Sequence, residues 1–141
     1  MSETAAQEHS ASQDQAPRTR TFLALVVAAA AWIIPGLGHF LLRRWGRALA
    51  LFVATAGLAF AGYRMRGAAF SPYSSGPFGT LGFFADSGSG VFYFLRGMWE
   101  TAAPDISRAV GEYGTRFLAP AGILNWAGVV DAYEIARGWR R

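Results

Sequence analysis

Three polar side chains lie inside or beside apolar stretches of the sequence: His39, Asn125 and Asp131. A polar group placed in lipid is costly, so such a residue is expected to bond a partner or to carry a function. Asp131 has no arginine one helical turn away, which predicts that it pairs across helices with His39 or with an arginine of the 43–47 turn. Asn125 is expected to hydrogen-bond another helix or an oligomeric partner. A structural role for Asp131 near a membrane interface is favoured over a chemical one.

The other residues do not form a catalytic constellation. The chain has two histidines, no lysine and no cysteine, and His9 lies in a polar N-terminal stretch, which leaves His39 as the one candidate base. The sequence lacks metal ligands at regular spacing, and the glycines at 36 and 38 lack the third glycine of a dinucleotide loop. We therefore predict a protein that is not an enzyme and that has no catalytic residue, metal site or cofactor.

The composition indicates that lipid is the solvent of this chain. Hydrophobic residues make up 52% of the 141 residues and charged residues 16%, well below the roughly 25% charged residues of soluble domains. All 13 basic residues are arginines, and many of them flank the apolar blocks, where they anchor helix ends at phosphates. The net charge of +4 is therefore assigned to the membrane interface. Nucleic-acid binding is not expected, because no folded basic face is visible outside the apolar blocks.

The apolar blocks divide the chain into a tail and a membrane domain. Residues 1–20 are polar and are predicted to form a disordered tail, which leaves a helical membrane domain over 21–141. Predicted spans cover about 21–42, 48–63 and 115–136. A cleaved signal peptide is the alternative for the first block, but its apolar run continues well past the alanines that could be cut.

Pro35 interrupts the first predicted span. Proline removes one backbone donor and crowds the preceding turn, so the helix is expected to kink or break near Ile34. Gly36 and Gly38 then permit a tight turn or the close approach of another helix. In the second span, small residues recur on one face and predict a helix-packing stripe, which consists of Ala50, Ala54, Gly57 and Ala61.

Residues 67–111 alternate aromatic side chains with Gly, Ser and Pro, a composition typical of the membrane–water interface. Two short helices, near 78–85 and 90–99, are expected to lie in the interface or to enter the membrane as a broken, re-entrant span, because Asp86 argues against a straight lipid-exposed helix.

The predicted fold class is an all-α integral membrane protein: a helical hairpin, a C-terminal transmembrane helix and a Gly/aromatic-rich interfacial or re-entrant segment. With three spans, the N-terminus would lie outside and the C-terminus inside; a fourth, broken span would move the C-terminus.

The stretch PGLGHFLLRRWGRALALF, over 35–52, resembles the two-transmembrane domain family, which includes beta-amyloid-binding-protein-like proteins. That family places a Gly-x-Gly-His-Phe-like stretch at the end of its first helix, followed by a basic turn with glycine and a second helix. The residues that match in outline are Gly36, Gly38, His39, Phe40 and Gly46. The family's Asp-Arg-Phe turn is replaced by the sequence Arg-Arg-Trp over 43–45. The segment GILNWAGVVDAYEIARG is also similar to the C-terminal signature of an uncharacterised bacterial membrane-protein family. The resemblance implies a membrane hairpin and no agreed biochemical activity.

These observations favour a small, non-enzymatic, multi-pass protein of the bacterial inner (cytoplasmic) membrane, with a structural, assembly or interaction role. Its expected partners are the lipid bilayer and a membrane protein or a second copy of the chain. The alternative is a transport or proton-linked component that uses His39 and Asp131 beside the break at Pro35. No feature of the sequence names a substrate.

Overall fold

The computed structural model describes residues 2–73, 75–99 and 103–140, and their side chains from Arg18 onward except at positions 97 and 99. These residues form helices and no strand, which confirms the all-α prediction. In chain order the helices are α1 (Ser2–Ile33), α2 (Leu37–Leu41), α3 (Trp45–Arg64), α4 (Gly76–Ser87), α5 (Val91–Phe94), α6 (Arg96–Trp99) and α7 (Ala109–Arg137). Helix α1 starts within the stretch 1–20 that is predicted to be a disordered tail, and the alanine, glutamine and glutamate residues there are good helix formers.

The first predicted span, 21–42, is divided in the structure. Helix α1 ends at Ile33, shortly before Pro35, whose ring removes a donor and crowds the preceding turn. Gly36 follows with a φ of +84°, a left-handed conformation that glycine adopts without strain, and α2 then starts at Leu37. The block therefore forms two helices joined by a turn, with the break that the sequence predicts near Ile34. The crossing of a membrane by this block stays a prediction.

Helix α7 lies at the centre of the bundle, and α1, α3 and α4 pack around it. Its buried face consists mainly of small residues, which allow the neighbouring backbones to approach closely. These are Gly111, Gly114, Ala121, Gly122, Gly128 and Ala132, together with Leu118, Asn125 and Val129. A Cβ atom at Gly122 would overlap the carbonyl oxygen of Ala85 in α4, so this contact requires glycine.

Helix α3 runs antiparallel to α7. Arg47, near the start of α3, bonds Asp131 near the end of α7, whereas Gly62, near the end of α3, packs against Leu118 and Gly114. We name the two ends of the bundle after these contacts, the Asp131 end and the Gly114 end. Between them, the 20 residues of α3 extend about 30 Å.

Helix α1 reaches only the middle of α7. Thr21 in α1 accepts a hydrogen bond from Arg137 at the Asp131 end, and Trp32 contacts Asn125 halfway along α7. The short α2 then returns to the Asp131 end, which His39 contacts. Helices α1 and α2 thus form a half-length hairpin, which we call the first half-hairpin. Because Thr21 and Arg137 are adjacent, α1 enters the bundle at the end where α7 leaves it. The sides of a membrane on which the two ends of the chain lie stay a prediction.

Helices α4 and α5 form a second half-hairpin, which enters from the Gly114 end. Helix α4 runs parallel to α7, with Ala85 beside Gly122 and Gly88 beside Asn125. The chain turns after Gly88, and α5 returns along α3. The segment thus forms short helices, as the sequence predicts, and its interfacial or re-entrant position stays a prediction.

The tips of the two half-hairpins meet midway along α7. Gly90, in the turn between α4 and α5, has a φ of +61°, and a Cβ atom there would overlap the carbonyl oxygen of Trp32 at the end of α1. The same Cβ would lie 2.6 Å from the carbonyl oxygen of Ile33. The two tips are therefore in direct backbone contact, which only glycine permits.

The surface of the bundle is rich in large apolar side chains, and its interior holds several polar ones. Phe22 is 70% exposed, Leu49 65% and Phe60 52%. The buried polar side chains are His39, Thr55, Asp86, Ser87, Ser89 and Asn125. By length and composition, one helix among the described residues, α3, is able to cross a membrane; its most apolar window has a mean hydropathy of 1.4.

Candidate functional site

The carboxylate of Asp131 contacts three side chains from different parts of the chain. Its Oδ2 lies 2.9 Å from Nε2 of His39 in α2 and 3.1 Å from Nη1 of Arg47 in α3. Its Oδ1 accepts a hydrogen bond of 3.0 Å from Arg140, which follows α7. We call these four residues the Asp131 cluster. The cluster contains the pairing that the sequence predicts for Asp131, and it adds Arg140, which the sequence did not indicate.

Burial differs strongly within the Asp131 cluster. His39 is 1% exposed, whereas the side chains of Arg47 and Arg140 are 51% and 62% exposed. Nδ1 of His39 has no partner among the described residues. The arginines therefore neutralise Asp131 from the surface side, while His39 bonds it from the interior.

Close packing of α2 brings His39 to Asp131. A Cβ atom at Gly38 would lie 2.6 Å from Cβ of Ala31 and 3.0 Å from Cβ of Ala132, so the glycine lets α2 contact α1 and α7 together. Of the predicted glycine pair, Gly36 makes the turn and Gly38 makes this contact.

A groove of about 420 Å³ lies between α3 and α7 beside the Asp131 cluster. One end of it is polar and is formed by His39, Arg47 and Asp131. Its walls are apolar and consist of Ala50, Leu51, Ala54, Leu124, Ala127 and Gly128.

The predicted small-residue stripe of α3 does not form the contact with α7. Ala50 and Ala54 line the groove, Ala61 is partly buried, and a Cβ atom at Gly57 would meet no atom within 4 Å. The buried residues of α3 are instead Ala48, Thr55, Ala59, Gly62 and Tyr63. Use of the stripe by an oligomeric partner stays a prediction.

Asn125 connects the tips of both half-hairpins to α7. Its Nδ2 donates to the carbonyl oxygen of Gly88 at 2.9 Å and to that of Trp32 at 3.2 Å. Both carbonyls lie at the C-terminal ends of helices, where no backbone N–H group of the same helix is left to bond them. Asn125 itself is 1% exposed. The interhelical hydrogen bond that the sequence predicts for this residue is therefore present, and it is shared between two helix ends.

Two indole groups complete the contacts at the end of α4. Nε1 of Trp32 donates to the carbonyl oxygen of Ser87 at 3.2 Å, and Nε1 of Trp126 donates to that of Phe84 at 3.0 Å. The rings of Trp126 and Phe84 stack with centroids 5.0 Å apart. The two indole groups, the Asn125 amide and the backbone carbonyls that these groups bond form one set of contacts. We call this set the central junction.

Residues 26–140 match DUF6677, a family of unknown function. The chain belongs to DUF6677. The matched range includes the Asp131 cluster and the central junction, and the match confirms the expectation of an uncharacterised family. It gives no support to the specific resemblance to the two-transmembrane domain family. No curated protein and no solved structure matches the chain.

This DUF6677 chain also buries a carboxylate that is not among the candidate residues predicted from the sequence. Asp86 is 2% exposed, and its Oδ2 accepts a hydrogen bond of 2.7 Å from the backbone nitrogen of Phe70. The Tyr93 hydroxyl donates to the carbonyl oxygen of Phe70 at 2.9 Å. Oδ1 of Asp86 has no partner among the described residues. An acid within an aromatic, Gly/Ser-rich stretch is the signal that could have identified it.

The chemistry available to the Asp131 cluster is limited by its contacts. Both carboxylate oxygens already bond cationic or donor side chains. Within the described part of this DUF6677 chain, no group of three His, Cys, Asp or Glu residues is placed to hold a metal ion. The arrangement is suited to charge neutralisation and to fixing α2 against α3 and α7.

Proposed function

We propose that this chain is a non-enzymatic, multi-pass membrane protein that serves as a structural, assembly or interaction component of the bacterial inner membrane. The observation that carries this proposal is that many large apolar side chains face outward, while the interior consists mainly of small and polar residues with a few larger ones such as Tyr63, Phe92 and Leu118. In water, such extended apolar surface would be unfavourable. In lipid it is the favourable arrangement, because buried polar groups find partners inside the protein and the apolar surface meets acyl chains.

The lengths of the elements support a membrane location. The hydrocarbon core of a bilayer is about 30 Å thick, which α3 matches with its 20 residues. The apolar part of α1, over 21–33, extends about 20 Å, and the 12 residues of α4 extend about 18 Å. Because these two helices enter from opposite ends and meet at the central junction, together they extend about 38 Å, which is enough to cover that thickness. In this arrangement α3 crosses the membrane, α7 runs antiparallel beside it, and both half-hairpins are re-entrant.

The central junction supplies hydrogen-bond donors, which the helix ends of re-entrant segments need inside a bilayer. Lipid offers no hydrogen-bonding groups, so backbone that is not helical at membrane depth must bond protein groups. Asn125 and the indoles of Trp32 and Trp126 donate to four backbone carbonyls at the helix ends there. These bonds support placement of both tips inside the bilayer.

The arginines favour one orientation. Among the described residues, seven arginines belong to the Asp131 end: Arg18, Arg20, Arg43, Arg44, Arg47, Arg137 and Arg140. Five belong to the Gly114 end: Arg64, Arg66, Arg96, Arg108 and Arg116. The excess of basic residues on cytoplasmic faces favours the Asp131 end as the cytoplasmic one. The N-terminal and C-terminal parts of the chain would then both lie in the cytoplasm.

Single-cysteine labelling tests this topology, because the natural chain contains no cysteine that must be removed. We would introduce Thr19→Cys and Trp45→Cys before and after the first half-hairpin, and Ser75→Cys and Ser107→Cys before and after the second. A membrane-impermeant maleimide applied to intact cells should label the second pair only. Permeabilised cells, in which all four cysteines should react, provide the control.

Two outcomes would contradict the proposed arrangement. If the cysteines at 19 and 45 react from opposite sides, α1 and α2 together cross the membrane and the first half-hairpin is not re-entrant. If the protein is extracted by alkaline carbonate without detergent, it is not an integral membrane protein at all.

A second candidate function is a proton-linked transport step at the Asp131 cluster. The contact of 2.9 Å between His39 and Asp131, together with the unpartnered Nδ1 of His39, favours it. Asp131→Asn should then abolish a proton-coupled flux in reconstituted vesicles while the protein still inserts. A variant that retains the full flux of the natural protein would exclude this role.

A further inference from the structure

We infer that the groove between α3 and α7 binds one acyl chain of an anionic phospholipid, with the lipid phosphate at Arg47. This inference rests on the proposed membrane location of the protein, and it adds a specific ligand. The groove is apolar along its length and polar at one end only, which matches the two parts of an amphiphile.

The dimensions of the groove suit a thin occupant. From Arg47 to Ala54 on α3, and from Asp131 to Leu124 on α7, the walls extend about 10 Å along the helices and enclose about 420 Å³. A helix of a second copy is about 10–12 Å wide with its side chains, whereas a single polymethylene chain is thinner and can lie along the groove.

Small side chains keep the groove open toward the lipid. Ala50, Ala54 and Ala127 are exposed wall residues, so an acyl chain can enter sideways from the bilayer. Larger apolar side chains occupy neighbouring positions of the same helix, such as Leu49 and Val53, which are 65% and 57% exposed. The groove is therefore a local gap in an otherwise bulky lipid-facing surface.

Arg47 is placed to select the headgroup. Its contact with Asp131 uses Nη1, and its side chain is 51% exposed, so the guanidinium retains donors for a phosphate. The preceding turn adds Arg43 and Arg44 to the same end of the bundle. Arginines outnumber the acidic Asp131 and Glu134 there, and this excess attracts anionic headgroups over zwitterionic ones.

The test is lipid retention by the full chain. We would reconstitute it in vesicles of equal parts phosphatidylglycerol and phosphatidylcholine, extract it in mild detergent, and count the lipids retained per protein by native mass spectrometry. One retained phosphatidylglycerol is expected. Ala54→Phe, which fills the groove, should reduce this retention at least fivefold. Arg47→Gln should retain lipid but lose the preference for phosphatidylglycerol.

Val53→Phe is the matched control, because it adds the same side chain at the adjacent exposed position outside the groove. Equal retention by the Ala54→Phe variant and the natural protein would overturn the inference. So would equal losses in the two phenylalanine variants, or a protein dimer that Ala54→Phe dissociates while no lipid is bound. A protein that integrates into membranes but retains no phosphatidylglycerol contradicts this inference alone. A protein that does not integrate contradicts the proposed function as well.

Discussion

Asn125→Ala removes the side chain that connects both half-hairpins to α7. The Asn125 amide nitrogen donates to the carbonyl oxygens of Gly88 and Trp32, and the residue is 1% exposed. After the substitution, α7 offers no donor at this position. Two carbonyls at helix ends then lose a bond in the interior of the bundle.

The magnitude follows from these two bonds. The net contribution of a protein hydrogen bond is about 0.5–1.5 kcal/mol, and interhelical bonds in membranes average about 0.6 kcal/mol. Two bonds therefore contribute about 1–3 kcal/mol to the free energy of unfolding. Oδ1 of Asn125 has no partner among the described residues, so its removal also relieves a desolvated acceptor. We therefore expect a loss of about 1–2 kcal/mol.

Equilibrium unfolding in mixed micelles, followed by tryptophan fluorescence, measures this loss, because Trp32 and Trp126 belong to the central junction. A loss of about 1.4 kcal/mol changes the unfolding constant tenfold. The matched control is Ile123→Ala on the exposed side of α7, which should shift the free energy by less than about 0.5 kcal/mol. If Asn125→Ala unfolds within that same margin of the natural protein, Asn125 does not hold the two tips together.

Further substitutions address the packing and the Asp131 cluster. Gly122→Ala should lower the free energy of unfolding by about 1–3 kcal/mol, because its Cβ overlaps α4, whereas Gly57→Ala, in open space, should be neutral or stabilising by up to about 1 kcal/mol in the same assay. Asp131→Ala deprives buried His39 of its acceptor and should cost about 1–3 kcal/mol, with a smaller loss for Asp131→Asn, as thermal unfolding would show. Gly57→Leu should weaken self-association or lower abundance if a partner uses the stripe; an unchanged oligomeric state and abundance would argue against that use.

Residue type alone predicted several local features. Proline inside an apolar block indicates a helix break, and α1 ends at Ile33, two residues before Pro35. An acid at the edge of an apolar block needs a cationic or donor partner, and Asp131 has His39 and Arg47. In these cases the physical requirement belongs to one side chain, so the sequence is sufficient to state it.

The half-hairpins could not be derived in the same way. The hydropathy along the sequence shows only where an apolar block begins and ends, and the block 21–42 is long enough to span a bilayer. Whether a chain that breaks at Pro35 continues forward or turns back depends on what its second part packs against. Here Gly38 fits between Ala31 and Ala132, a contact between positions far apart in the sequence. Such a contact depends on how the helices pack in the folded chain, and the local sequence around each residue does not indicate it.

The central helix explains why the polar groups of this protein are inside. Where Gly122 contacts α4 and Gly114 contacts α3, the helix backbones touch, and no room remains for large apolar side chains between them. Backbone contact brings helix-end carbonyls into the interior, and these carbonyls require donors such as Asn125. Most of the bulky apolar residues lie on the outer surface, where lipid can accept them in the proposed membrane arrangement. The glycine contacts, the central junction and the apolar exterior therefore depend on one another. A substitution that separates the helix backbones should disturb all three together.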